Sequence, residues 1–354
     1  MKSNLKFFKK SKVLPVDKFL QNVLYDNKFG YYATKYPFGK KGDFITAPKI
    51  SSLFSEVIGI WLISSWEIFG KPKNFNIIEL GPGDGSLTKI LLKIFDRFPE
   101  FKLASNFYLY ETSNYLKMIQ KKNIQNKKIK WTNDLEKIKK GPVVFFGNEF
   151  FDAIPIKQFI KKKNTLYEKY FLIDKNNCIK EFYKKTSRKN ANLINGFKSL
   201  KNLKFIEFPK LGLMELNKII KKISSNNGCL LLIDYGYLNS NNQNTLQSVM
   251  KHKRNNLLNN LGKADITSNV NFELLKEFFL KNNLKVKKIV TQKFFLEDMG
   301  IIERANILCK KMKFREQSDL YLRLKRLLDP RLMGSLFKVI LSYKCKSDKF
   351  LGFK

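Results

Sequence analysis

The stretch IIELGPGDGSLTKILLKIF, residues 77–95, constrains the fold more than any other part of the chain. An apolar run leads into Glu79, and three glycines follow at alternate positions: Gly81, Gly83 and Gly85. Leu87, Ile90, Leu91, Ile94 and Phe95 then recur at the spacing of one helix face. Strand, tight turn and helix in this order form a cradle for a nucleotide-like cofactor. A dinucleotide fingerprint has its glycines at the first, third and sixth positions, whereas here they fall at the first, third and fifth. The flanking acids Glu79 and Asp84 would repel a pyrophosphate and suit a cation. S-adenosyl-L-methionine carries a sulfonium and an amino group and no phosphate, so Glu79, Gly81, Pro82, Gly83 and Gly85 are candidate contacts to it.

The rest of the chain alternates strands and helices. Strands are predicted at 75–80, 107–112, near 130, within 141–155 and at 228–237, with helices along 87–95, over 113–123 and 209–226, and at the close of 262–283. Residues 285–292 and 335–343 read as the last strands, with a charged helix between them. This pattern predicts a mainly parallel α/β sheet of the Rossmann-like kind. Before it, 17–25 and 51–70 read as helices, the second apolar nearly all round and so buried, with an extended loop between. Residues 156–208 read as β-hairpins inserted into the core, and 237–265 as a long loop. The expected organisation is an N-terminal helical and loop cap, 1–72, followed by one domain, 73–354, with insertions at about 156–208 and 237–265.

Ligands of open α/β sheets sit beyond the carboxyl ends of the strands. Glu111, after the second strand, suits the two ribose hydroxyls of a nucleoside. Asp134 and Leu135, after the third, suit the edge and face of an adenine. Asn148, Glu149 and Asp152 close the fourth strand in NEFFDAIP, where carboxylates can pair with a guanidinium, and Phe150 and Phe151 can pack on a cation. Asp265 and Thr267 read as helix-capping residues. His252 is the only histidine in the chain, and the four cysteines show no metal spacing, so no metal site is expected and acid–base work falls to carboxylates. The net charge of +38 invites a nucleic-acid partner. That reading is discounted, because only eight of the 68 basic residues are arginine and the lysines are spread along the chain, as in a protein from an AT-rich bacterial genome. No apolar run has the length of a membrane span.

Taken in order, LYDNKFGYYATKYPFGKKGDFITAPKISSLFSEVIGIWL, ELGPGDGSLTKILL, NEFFDAIPIKQF, LLIDYGY, GKADITSNVNF and TQKFFLEDMGI resemble the MidA-type class I S-adenosylmethionine-dependent methyltransferases. The resemblance runs from about Pro15 to Tyr343. It implies a class I methyltransferase fold, S-adenosyl-L-methionine as cofactor, and methylation of a protein arginine linked to respiratory complex I assembly, the role of the mitochondrial members. A cytoplasmic location in a bacterium, or the mitochondrial matrix in a eukaryote, follows from it. It implies roles for Gly42, Asp43 and Phe44, with Asp43 on the substrate side, and it raises His252 to a substrate-side candidate. Asp84 stands where the family commonly has arginine. An assembly chaperone that binds the cofactor only structurally, and a nucleic-acid methyltransferase, are the alternatives.

Overall fold

A computed structural model of the chain describes residues 4–9, 11–39, 42–43, 45–163, 165–239 and 242–354. Six strands carry the topology of the main sheet: β1 (Phe75–Leu80), β2 (Ser105–Tyr110), β3 (Lys130–Thr132), β4 (Val143–Asn148), β5 (Gly228–Tyr237) and β6 (Phe337–Lys344). Their order is β3–β2–β1–β4–β5–β6, the first five parallel and β6 antiparallel to β5. Register places Leu80 beside Tyr110 and Gly147, and Asn148 beside Ile233. The carboxyl ends of β1, β2, β4 and β5 therefore finish on one edge. The predicted Rossmann-like α/β sheet is present.

Its strands are buried on both faces, as parallel strands are. Ile77, Val144, Phe146 and Leu231 face a core completed by the helices Ser52–Ile68, Ser86–Phe95 and Phe314–Leu328. Ile78, Phe145, Leu230 and Leu232 face another, completed by Lys210–Asn226 and Phe272–Lys281. The first of these helices approaches Ser86–Phe95 so closely that a Cβ on Gly59 would lie 2.7 Å from Ile94. No helix among the described residues is long and apolar enough to cross a membrane.

Three segments differ from their sequence reading. The 156–208 insertion is an antiparallel sheet of Lys157–Lys162, Thr165–Ile173, Ile179–Lys185 and Phe205–Phe208, as its hairpin pattern predicts, but Val13–Pro15 from the N-terminal segment joins its edge. It also holds a helix, Arg188–Asn195, hidden in the sequence because Ile194 alone is buried. The expected loop before residue 265 contains Gln247–Met250, Lys253–Asn255 and Asp265–Thr267 as a small antiparallel sheet. Asn255 holds that region through bonds to Ser248 Oγ and to the carbonyls of Asn256 and Asn259, so polar side chains replace the apolar alternation that marks a strand. Residues 285–292 split into Lys285–Val286 and Val290–Thr291, both on β6. The single charged helix expected after them is three: Gln292–Asp298, Ile301–Cys309 and Phe314–Leu328.

The helix Val16–Tyr25 fastens these insertions together. Phe19 and Val23 pack with Phe171, Ile173, Leu261 and Ile266. Beneath them Lys157 Nζ bridges Asp17 at 2.9 Å and Glu168 at 2.5 Å, all three side chains buried. Burial disfavours the ammonium, yet the two carboxylates hold its pKa above the ordinary value. Removing one member of a buried ion network leaves uncompensated charge. Lys157→Ala is therefore expected to lower unfolding free energy by about 3–5 kcal/mol in urea denaturation; a loss under about 1 kcal/mol would refute this role for the triad.

Candidate active site

The glycine spacing has a backbone cause. Gly81, Gly83 and Gly85 all adopt left-handed conformations, with φ of 59°, 59° and 81°, a region costly for residues with a Cβ. A Cβ on Gly81 would lie 2.9 Å from the Phe150 ring, and one on Gly83 3.1 Å from the Phe38 ring. Gly81, Pro82 and Gly83 line a cavity of about 670 Å³ at the carboxyl edge of the sheet. Gly85 caps the helix Ser86–Phe95 and faces Ile124 instead. Glu79 lies under the turn, buried, where the Thr88 hydroxyl donates to it and burial pushes its carboxyl up to about 8.

Asp84 does not offer a free charge to a ligand, as the sequence reading had it. Burial pushes its carboxyl up, but Lys49 Nζ at 2.6 Å, the Ser86 hydroxyl at 2.7 Å and the Tyr36 hydroxyl at 2.7 Å hold it below the ordinary value. Its effect is mechanical: it ties the segment around Tyr36 and Lys49 onto the glycine turn.

Glu111 is buried at the end of β2 and accepts from the Ser113 amide at 2.7 Å and Gln120 Nε2 at 3.1 Å. Gln120 Nε2 also reaches the Gly83 carbonyl at 2.9 Å, which links the acid to the turn. Glu111 lines the cavity; Asp134 and Leu135 are not among its lining residues. Asp134 caps the short helical turn Leu135–Lys137, and Leu135 packs into the core with Tyr108 and Ile138.

After β4 the backbone bends sharply at Glu149, whose φ of 53° is strained for a residue with a side chain. Its amide donates to the Ile233 carbonyl at 2.9 Å. Its Oε1 accepts from Asn148 Nδ2 at 3.1 Å and from the Ala47 amide at 3.3 Å. Burial, then the nearby Asp152, pushes its carboxyl up to about 8. Asp152 is pushed up to about 6 by burial, against the Tyr235 hydroxyl that donates to it. Asp234 holds the loop from behind by accepting the Phe151 and Asp152 amides at 2.8 and 3.2 Å. Phe150 lines the cavity. Phe151 does not reach a cation: it is buried in the core, where its ring closes on Gly212. Among the described residues, Asn148 Oδ1 and Asp152 Oδ1 are buried acceptors that find no hydrogen-bond partner.

Asp43 accepts from the Tyr31 hydroxyl at 2.5 Å and from the Lys251 amide at 2.6 Å. It thereby pins the hairpin turn in which Lys251 and His252 both have positive φ, and both Asp43 and His252 line the cavity. Phe44 lies outside the described residues. Asp265 is not a helix cap: that role belongs to Asn271, which accepts from the Leu274 amide at 3.0 Å. Asp265 lines the cavity, accepts from the Tyr32 hydroxyl at 3.1 Å, and is pushed up to about 7 by burial and by Asp152. Tyr32, Tyr235 and Arg326 also line the cavity and carried no sequence signal.

The acid-to-base ratio of the residues lining this cavity is inverted relative to the chain. Among the described residues that line it, Asp43, Glu79, Asp84, Glu111, Glu149, Asp152, Glu215 and Asp265 are acidic, while Arg326 is the sole lysine or arginine. Over the whole sequence, basic residues outnumber acidic ones 68 to 30. Unpartnered oxygens and carboxyl groups form an acceptor set for a ligand bearing positive charge and N–H donors. A sulfonium amino acid fits that set, and a pyrophosphate does not. The turn and Glu111 suit its nucleoside, and Asn148 and Glu149 its reacting end.

Comparisons with known proteins agree. Residues 57–290 match a family model described as "Putative S-adenosyl-L-methionine-dependent methyltransferase". The chain is 29% identical over 352 residues to the mitochondrial protein arginine methyltransferase NDUFAF7 of Xenopus tropicalis, covering 92% of this chain and 81% of that one. It is 30% identical over 319 residues to the mitochondrial NDUFAF7 homolog of Caenorhabditis elegans, covering 82% of this chain and 74% of that one. A candidate methyl transferase from Burkholderia thailandensis, crystallised with S-adenosyl-homocysteine, shares the fold with a TM-score of 0.78 at 20% identity, covering 97% of this chain and 89% of that chain. With the model matching over well more than half its length, the chain belongs to this family of S-adenosyl-L-methionine-dependent methyltransferases.

Proposed function

We propose that the chain methylates an arginine of a protein partner, that the partner is a respiratory complex I subunit, and that the reaction takes place in the bacterial cytoplasm. The observation that carries this reading is the acid-lined cavity in a strongly basic chain, with Asn148 Oδ1 and Asp152 Oδ1 in its wall unpartnered among the described residues. A guanidinium supplies five N–H donors and a positive charge, which such walls accept. The relatives named protein arginine methyltransferases support it. A nucleic-acid acceptor is disfavoured by the same walls, since its phosphates would meet carboxylates.

In this reading residues 1–72 form the cap and 73–354 the methyltransferase domain. Glu79, Gly81, Pro82, Gly83 and Glu111 hold the cofactor, with Gly85, Asp134 and Leu135 shaping its surroundings. Bound S-adenosyl-L-methionine supplies a methyl group whose bond to sulfur breaks as the arginine nitrogen forms a bond to carbon and loses one proton. Asn148 and Glu149 orient the guanidinium, and Glu149 in its ionised form accepts the proton. Asp152, fixed by Tyr235, holds the other side. Asp43 positions the hairpin turn, so that His252 closes the rim. Methyl transfer asks for little more than this orientation and the exclusion of water.

Two outcomes test the assignment. Gly83→Val puts a branched side chain at a φ of 59° and against Phe38, so S-adenosyl-L-methionine affinity measured by calorimetry should fall at least about tenfold; equal affinity in a folded variant would refute the cofactor site. Glu149→Gln should lower kcat by about 100-fold or more and leave cofactor affinity within about threefold. Because the ionised carboxylate is the active form and burial pushes Glu149 up to about 8, wild-type kcat/KM should rise with pH through about 8. A profile unchanged by Glu149→Gln would contradict the role given to Glu149.

A further inference from the structure

Among the described residues Arg326 is the single Lys or Arg on a wall otherwise lined by carboxyl groups, and it makes no hydrogen bond or ion pair with any of them. Its neighbours in sequence are committed. Arg323 pairs with Asp319 at 2.8 Å and reaches the Ile50 carbonyl, and Arg331 pairs with Asp329 at 3.0 Å. Arg326 lies in the last turn of Phe314–Leu328, where a cation complements the helix dipole. Lys325 serves that purpose equally, and the dipole does not account for a guanidinium on the cavity wall with its donors unused. Its field reaches Glu149 and favours the ionised carboxylate. Arg326 itself is exposed, and the cavity wall beyond it is the apolar strip Met333, Leu336 and Phe337.

An arginine that enters this cavity meets carboxylates at the bottom and a like charge at the rim. Like charges brought together repel the wrong partner, whereas an acid beside the acceptor would convert the repulsion into a bidentate pair. We infer that Arg326 is a specificity residue that reads a carboxylate next to the acceptor arginine, so that the preferred substrate carries an aspartate or glutamate beside its arginine. This rests on the protein-arginine reading above. The alternative ligand for Arg326 is the cofactor's own carboxylate. Its exposure, and its place on the helix Phe314–Leu328 rather than beside the glycine turn or Glu111, favour the protein substrate.

The test uses the full chain, tritiated S-adenosyl-L-methionine, and a peptide library with a fixed central arginine and randomised flanks. Wild type should enrich peptides with Asp or Glu at one flanking position. Arg326→Glu should lose that preference and favour Lys or Arg there, raising KM for the best wild-type peptide about tenfold while cofactor affinity changes less than about threefold. The same flanking preference in both proteins would overturn the inference. So would a loss of cofactor affinity in Arg326→Glu with the preference intact, which would assign Arg326 to the cofactor. If wild type labels no arginine in any peptide, while it labels other side chains, the arginine reading falls and this inference with it.

Discussion

Carboxylates crowded into one desolvated cavity are the constraint on which the rest of this structure depends. β1, β2, β4 and β5 end on the same edge, so the acids that follow them converge. Burial in low dielectric disfavours the charged form of each. Glu79 and Glu149 are accordingly pushed up to about 8, and Asp265 to about 7. A raised value means that the folded chain binds the proton more tightly than the unfolded one. The stability these groups contribute is full below their ordinary carboxylate values and is lost as pH rises through 7 to 8. A bound cation reverses the balance, because it favours the ionised form that the fold alone disfavours. Ligand binding and ionisation of the cavity are thus coupled, which is how a carboxylate can be both buried and ready to take a proton.

Holding that arrangement needs segments far apart in sequence. The N-terminal residues give the Ala47 amide to Glu149, Lys49 to Asp84 and the Tyr32 hydroxyl to Asp265. The hairpin that carries His252 is held by Asp43. The sharp backbone at Glu149 is kept by the Ile233 carbonyl, the Asn148 amide group and Asp234 behind the loop. Strain at such a position persists when its surroundings determine it from several sides. Among the described residues the basic surplus of the chain, Arg326 apart, lies outside the cavity lining, where it favours encounter with acidic partners.

Much of this was legible in the sequence because its causes are local. Glycine at alternate positions after an apolar run reports three left-handed residues, and the helix face from Leu87 to Phe95 reports a core contact. The strand-end acids Glu79, Glu111, Glu149 and Asp152 follow from where ligands sit on a parallel sheet. What escaped depended on contacts between distant residues. Asp84 looks like a ligand for a cation until Lys49, brought in from the N-terminal segment, neutralises it. Asp265 looks like a cap until Tyr32 and Asp152 surround it. Phe151 cannot be told from Phe150 by type, and only the position of Gly212 decides that one ring faces the core. Arg326 belongs to an amphipathic helix, and nothing local marks it as facing the cavity. The small sheet at 247–267 is held by asparagine side chains, which leave no hydrophobic period to read.

The central claim is that this acidic cavity transfers a methyl group to arginine in a protein. The most direct measurement is to incubate the purified chain and labelled S-adenosyl-L-methionine with lysate of cells lacking the gene, and to identify the labelled residue by mass spectrometry. The account predicts methylarginine in a protein, absent when Glu149→Gln replaces the wild type. Label confined to nucleic acid or to another amino acid, or labelling undiminished by Glu149→Gln, would contradict it.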